Sequence, residues 1–193
     1  MNIFLIGYRC VGKTSVGQSL AQRLGWSFVD TDVKLVEERG QKISEIVDTK
    51  GWALFRKMEK QVIQCVCERD HCVVATGGGV VLDDENVKRM KASGVLIWLK
   101  ANIHTIGNRM AKDPLTHDFR PSLTSKGVFE EIKETLFLRN PYYEKAMNFI
   151  VETDLIGIEA VCDKIMEKLE KVESGNANEL RIKRFLCLKI FVI

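Results

Sequence analysis

A three-layer α/β/α fold, with helices on both faces of a parallel sheet of about five strands, is the class this sequence predicts. Three observations predict it. Short apolar runs suited to buried strands recur along the chain, helical patterns separate them, and the first run passes into a glycine-bearing turn that opens a helix. Such alternation needs crossover helices, and crossovers cover both faces of the sheet.

The elements follow in order. Asn2 to Ile6 is the first strand run, and Val16, Leu20, Ala21 and Leu24 recur behind it at helical spacing. Further strand runs are Ser27 to Val29, Cys72 to Ala75, Val95 to Leu99 and Phe149 to Val151. Lys34 to Glu38, continuing into Ile43 to Asp48, reads as a broken helical region, and Trp52 to Glu68 as one long helix. Asp83 to Lys91 and Ile103 to Ala111 follow. Val128 to Lys145 is helical with a kink or restart expected at Pro141, and Ile158 to Val172 closes the series. Asp113 to Ser125 is polar, holds Pro114 and Pro121 and lacks a period, so it reads as a closing loop.

At 193 residues, the chain is expected to form one domain over residues 1–172, followed by a tail over 173–193. No export signal and no apolar run long enough for a bilayer is read in it, so the expected location is the cytoplasm. The six cysteines are scattered, and Cys65 and Cys67 fit no ordinary zinc spacing, so free thiols are expected. The net charge of +3 resides in the last fifteen residues, where Arg181, Lys183, Arg184 and Lys189 face only Glu179. The rest of the chain is neutral, which argues against a nucleic-acid-binding face.

Chemistry concentrates where strands end. Gly7 to Thr14 reads Gly-Tyr-Arg-Cys-Val-Gly-Lys-Thr, the GxxxxGK[ST] pattern, with a strand before and a helix after. There, backbone N–H groups and a helix N-terminus cradle a phosphate chain, so Cys10, Val11, Gly12, Lys13, Thr14 and Ser15 are the expected nucleotide contacts. Gly12 removes a Cβ from the approach of the phosphates, Lys13 carries an ammonium to them, and Thr14 offers a hydroxyl to Mg²⁺. After the second strand, Asp30 and Asp32 provide one carboxylate for metal-bound water and one for an acceptor hydroxyl. Arg56 and Glu59 in Phe55-Arg56-Lys57-Met58-Glu59 are three apart and share a helix face, so Glu59 can orient the guanidinium toward a small acid. The third strand runs into Gly77-Gly78-Gly79, which exposes main chain to a polar ligand.

Taken with Arg120-Pro121 and Arg139-Asn140-Pro141-Tyr142-Tyr143, this ordered set resembles the shikimate kinases, over roughly residues 1–170. The resemblance implies a P-loop kinase fold with a mobile lid at about 109–125. It implies transfer of the ATP γ-phosphoryl group to the 3-hydroxyl of shikimate, with Mg²⁺ at Thr14 and Asp30. Asp32, Lys13 and Arg120 would be catalytic. Arg56 and Arg139 would clamp the shikimate carboxylate, Phe55, Glu59 and Gly77 to Gly79 would line the acceptor, and Arg109 would stack on adenine. The implied partners are shikimate and ATP, with no nucleic acid and no membrane span, and a monomer is expected. Trp52 stands where this family often has Glu, so different packing is expected there. A gluconate or nucleoside monophosphate kinase would keep the loop and lid without the arginine clamp. A nucleotide-dependent switch would need no small acceptor.

Overall fold

The computed structural model describes residues 1–113 and 127–175. Five parallel strands, β1 (Asn2–Ile6), β2 (Ser27–Asp30), β3 (Cys72–Ala75), β4 (Gly94–Lys100) and β5 (Phe149–Glu152), form one sheet in the order β2-β3-β1-β4-β5. Seven helices surround it among the described residues: α1 (Lys13–Leu24), α2 (Thr31–Arg39), α3 (Ile43–Cys67), α4 (Asp84–Ser93), α5 (Ile103–Lys112), α6 (Val128–Ala146) and α7 (Ile158–Gly175). A 3₁₀ turn, Val80–Leu82, precedes α4.

All five residues of β1 are buried, and they alternate between two cores. Ile3 and Leu5 pack with α1, α5 and α7, through residues such as Leu20, Ile106 and Ile165. Phe4 and Ile6 face the other layer, with Leu35, Ile63, Met90 and Tyr143. A strand buried on both faces loses its polar/apolar alternation, which is why β1, β3 and β4 read as continuous apolar runs. Each such side chain contributes roughly 1.5–3 kcal/mol by leaving water, so the central strand is a strong anchor for the loop that follows it.

Strand order places the site. β1 lies beside β3, with Ile3 opposite Val73 and Leu5 opposite Ala75, and the crossover from β1 runs to β2 on one side while that from β3 runs to β4 on the other. The turns after β1 and β3 therefore emerge side by side at the carboxyl edge, where open α/β sheets bind ligands.

Two expectations differ from what the structure shows. Residues 43–50 join the following helix rather than α2: α2 stops at Gly40 in a left-handed cap, and α3 continues to Cys67 through one non-helical residue, Gly51, at φ 79° and ψ 166°. A residue without Cβ accepts that φ cheaply, so the two segments stack as one bent rod. α6 does not restart at Pro141 but runs through it without a non-helical residue. The carbonyl that Pro141 leaves without its helical donor belongs to Phe137, which is 81% exposed, so water can meet it. The closing loop expected over 113–125 falls, from residue 114 onward, outside the described residues, as does the tail beyond residue 175.

Candidate active site

Two adjoining clefts open at the carboxyl edge of the sheet. The first is lined by Asp32, Phe55, Arg56, Glu59, Gly77, Gly78, Gly79 and Arg139, together with Lys13. The second is lined by Cys10, Val11, Gly12, Lys13, Thr14, Ser15, Asp30, Asp32 and Arg109. Every expected site residue among the described ones lies in one cleft or the other; Arg120 is outside the described residues. Lys13 and Asp32 line both, and so mark the junction.

The second cleft is built by the turn after β1. Gly12 has φ 100°, a conformation costly for any residue with a Cβ, and α1 starts immediately after it. The buried Lys13 Nζ donates to the carbonyls of Gly7 (2.9 Å) and Tyr8 (2.7 Å), folding the loop around its own ammonium. Thr14 Oγ1 donates to Asp30 Oδ2 at 2.8 Å. Asp30 Oδ1 also caps α2, accepting from the N–H of Asp32 at 3.0 Å. One carboxylate thereby fixes both the hydroxyl of Thr14 and the backbone that carries Asp32.

In the first cleft, Arg56 Nη1 donates to Glu59 Oε2 at 2.7 Å. The guanidinium also lies over the rings of Phe55 (5.1 Å) and Trp52 (5.4 Å), so Trp52 supplies a π-face beside the cation. Burial pushes the Glu59 carboxyl above the ordinary range against the pull of Arg56, and the charge of Asp32 adds to the rise. Arg139 enters from α6, where its Nη1 donates to the carbonyl of Gly78 at 3.2 Å. Tyr143 Oη donates to the same carbonyl and stacks on Trp98 at 5.6 Å, and burial raises this phenol to about 12.

The glycine turn is tight against these side chains. A Cβ on Gly77 would sit 2.8 Å from both Asp32 Oδ1 and Glu59 Oε1, and one on Gly79 would come 2.6 Å from Arg56 Cζ. Gly79→Ala is therefore expected to fold normally but displace the guanidinium, since the end of an arginine yields before backbone does. Steady-state kinetics should show the acceptor KM raised about 10-fold with an unchanged melting temperature; an unchanged KM would detach Gly79 from the clamp.

Sequence reasoning missed several residues of the site. Tyr143, four positions from Arg139, lines neither cleft but braces the glycine turn through the Gly78 carbonyl, and was reachable from that spacing. Thr153 follows β5, and its place at a strand's carboxyl end was the available signal. Tyr8 and Arg9 in the first cleft occupy unspecified positions of the phosphate-loop pattern, and Ile43 there and Ile156 and Ile158 in the second carried no signal. Arg9 is buried and ion-paired with Glu131 of α6, a contact between residues more than a hundred positions apart.

Comparison with known proteins agrees with this geometry. The shikimate kinase family model matches residues 9–170 of the chain. The chain belongs to the shikimate kinase family. The shikimate kinase of Thermodesulfovibrio yellowstonii is 41% identical over 174 residues, covering 90% of this chain and 98% of the relative. That of Syntrophus aciditrophicus is 38% identical over 177 residues, covering 88% and 91%. Among solved structures, the shikimate kinase from Acinetobacter baumannii in complex with shikimate superposes with a TM-score of 0.83 at 28% identity, covering 93% of this chain and 95% of that one. A gluconokinase from Sinorhizobium meliloti superposes at a TM-score of 0.56 with 18% identity, a likeness of fold alone. Shikimate kinases and that gluconokinase thus share the α/β/α frame. No described helix is long and apolar enough to cross a membrane.

Proposed function

We propose that this chain is an ATP-dependent phosphotransferase that phosphorylates the 3-hydroxyl of shikimate, yielding shikimate 3-phosphate and ADP. The observation that carries the reading is the junction: Lys13 and Asp32 line both clefts, so a phosphate chain in one and an acid in the other would meet between them. The bound shikimate of the Acinetobacter baumannii relative supports the choice of acceptor.

Phosphoryl transfer needs little covalent help from the protein. It needs alignment and neutralised charge. Backbone N–H groups of Gly12 to Ser15 would hold the phosphates, with the Lys13 ammonium moving from the Gly7 and Tyr8 carbonyls onto them. Arg56 and Arg139 would fix the shikimate carboxylate from two sides, leaving its hydroxyls toward Asp32. Asp32 orients the attacking hydroxyl and takes its proton as the bond to phosphorus forms. Phe55, Glu59 and the glycine turn shape the acceptor pocket. Arg120, in a segment near 109–125 that would close over the phosphates, would add a second cation there.

The donors at the phosphate loop suit Mg²⁺: a hydroxyl and a carboxylate, 2.8 Å apart, are hard oxygen ligands. Thr14 would hold the ion directly and Asp30 directly or through water. When bound, the ion neutralises phosphate charge. The catalytic unit is residues 1–172, acting as a monomer in the cytoplasm.

The test is ADP release from Mg-ATP with and without shikimate, with mass spectrometry of the acceptor. Shikimate-dependent ADP and a monophosphorylated product are expected. Hydrolysis indifferent to shikimate would discard the acceptor and send the search to other hydroxy acids and nucleoside monophosphates.

A further inference from the structure

The phosphate loop is braced from outside by a hydrogen-bond set that its own motif does not contain. Thr153, just past β5 and 2% exposed, donates its hydroxyl to the Val11 carbonyl at 3.1 Å and accepts from Arg109 Nη1 at 3.0 Å. Arg109 Nη2 donates to the Thr153 carbonyl at 2.7 Å, and Nη1 also reaches the Cys10 carbonyl at 3.4 Å. A hydroxyl has a single proton to give, so Thr153 spends it on the loop and turns a lone pair to the guanidinium. Arg109, in turn, is anchored at three protein oxygens.

The consequence follows from peptide planarity. In a trans peptide, the C=O and the next residue's N–H point in opposite directions. Carbonyls of Cys10 and Val11 held by Arg109 and Thr153 turn the N–H groups of Val11 and Gly12 the other way. Those N–H groups belong to the donors that such a loop presents to phosphate. Cys10 also sits at φ 60°, a left-handed conformation that a residue with a Cβ keeps only under outside constraint.

We infer that Thr153 and Arg109 are positioning residues for the phosphate cradle, setting affinity for the polyphosphate of the nucleotide and not only for its base. This rests on reading the second cleft as the nucleotide site. It assigns to Arg109 a task apart from stacking on adenine.

The experiment is titration calorimetry of the full chain with ATP and, separately, with inorganic tripolyphosphate, which has no base. Thr153→Val removes the hydroxyl at nearly constant shape, and Thr153→Ser retains it. The Val variant is expected to bind both ligands about 5–10-fold more weakly, the Ser variant to stay within about twofold of the native chain, and shikimate affinity to be unchanged in both. Should Thr153→Val fail to fold, Arg109→Met, which removes the other end of the same bonds, is read by the same criteria. Unaltered tripolyphosphate affinity in the Val variant would overturn the inference, as would an equal loss in the Ser variant. A native chain that binds neither ATP nor tripolyphosphate would instead remove the nucleotide reading itself.

Discussion

Asp32→Asn is expected to lower turnover about 10²–10⁴-fold while leaving ATP affinity within about twofold. The amide keeps the size of the side chain and its place at the junction of the clefts, but cannot take a proton from the attacking hydroxyl. The backbone there is independently fixed, because the Asp32 N–H donates to Asp30 Oδ1 at 3.0 Å and Gly77 N–H donates to Thr31 Oγ1 at 3.0 Å. The variant should thus keep its geometry and lose only the chemistry. Single-turnover phosphorylation of shikimate, with nucleotide binding measured in parallel, separates the two. Near-native turnover would take Asp32 out of the reaction and leave positioning alone as the source of rate.

Arg139→Met is expected to raise the shikimate KM about 100-fold, with the ATP KM nearly unchanged. A desolvated carboxylate that loses one of its two guanidinium partners must find the missing hydrogen bonds in water. Met fills much of the same volume, and the Gly78 carbonyl that accepts from Arg139 Nη1 also accepts from Tyr143 Oη, so it keeps a partner when the guanidinium is gone. Folding should therefore survive the change. Arg56 offers a less clean test, since its removal would strand the buried Glu59 beside Asp32. If Arg139→Met binds shikimate normally, the acid is held by Arg56 alone and the clamp is not a pair.

Much of this molecule was legible before any coordinates. The strands showed because both faces of β1, β3 and β4 are covered, which demands apolar residues throughout. The phosphate loop showed because its chemistry demands particular residue types at fixed spacing. Local signals failed where a contact outside the segment made the decision. Pro141 reads as a break, yet the packing of Tyr143 and Ala146 into the core carries α6 through it. Ile43 to Asp48 and Trp52 to Glu68 read as separate helical segments, yet they are joined in one helix bent at Gly51. No local pattern announces that Glu131 is the buried partner of Arg9.

The sequence by itself determined the layered α/β class, the strand ends at which ligands gather, and the identity of the groups able to hold phosphate and a small acid. Those follow from periodicity and from short motifs, which are properties of neighbouring residues. Only the tertiary structure decided that the turns after β1 and β3 lie side by side, that Lys13 and Asp32 face both clefts, and that Thr153 reaches back to Val11 across 142 positions. Each depends on strand order and on burial between distant elements, and a chain's local pattern carries no record of which distant element it will meet.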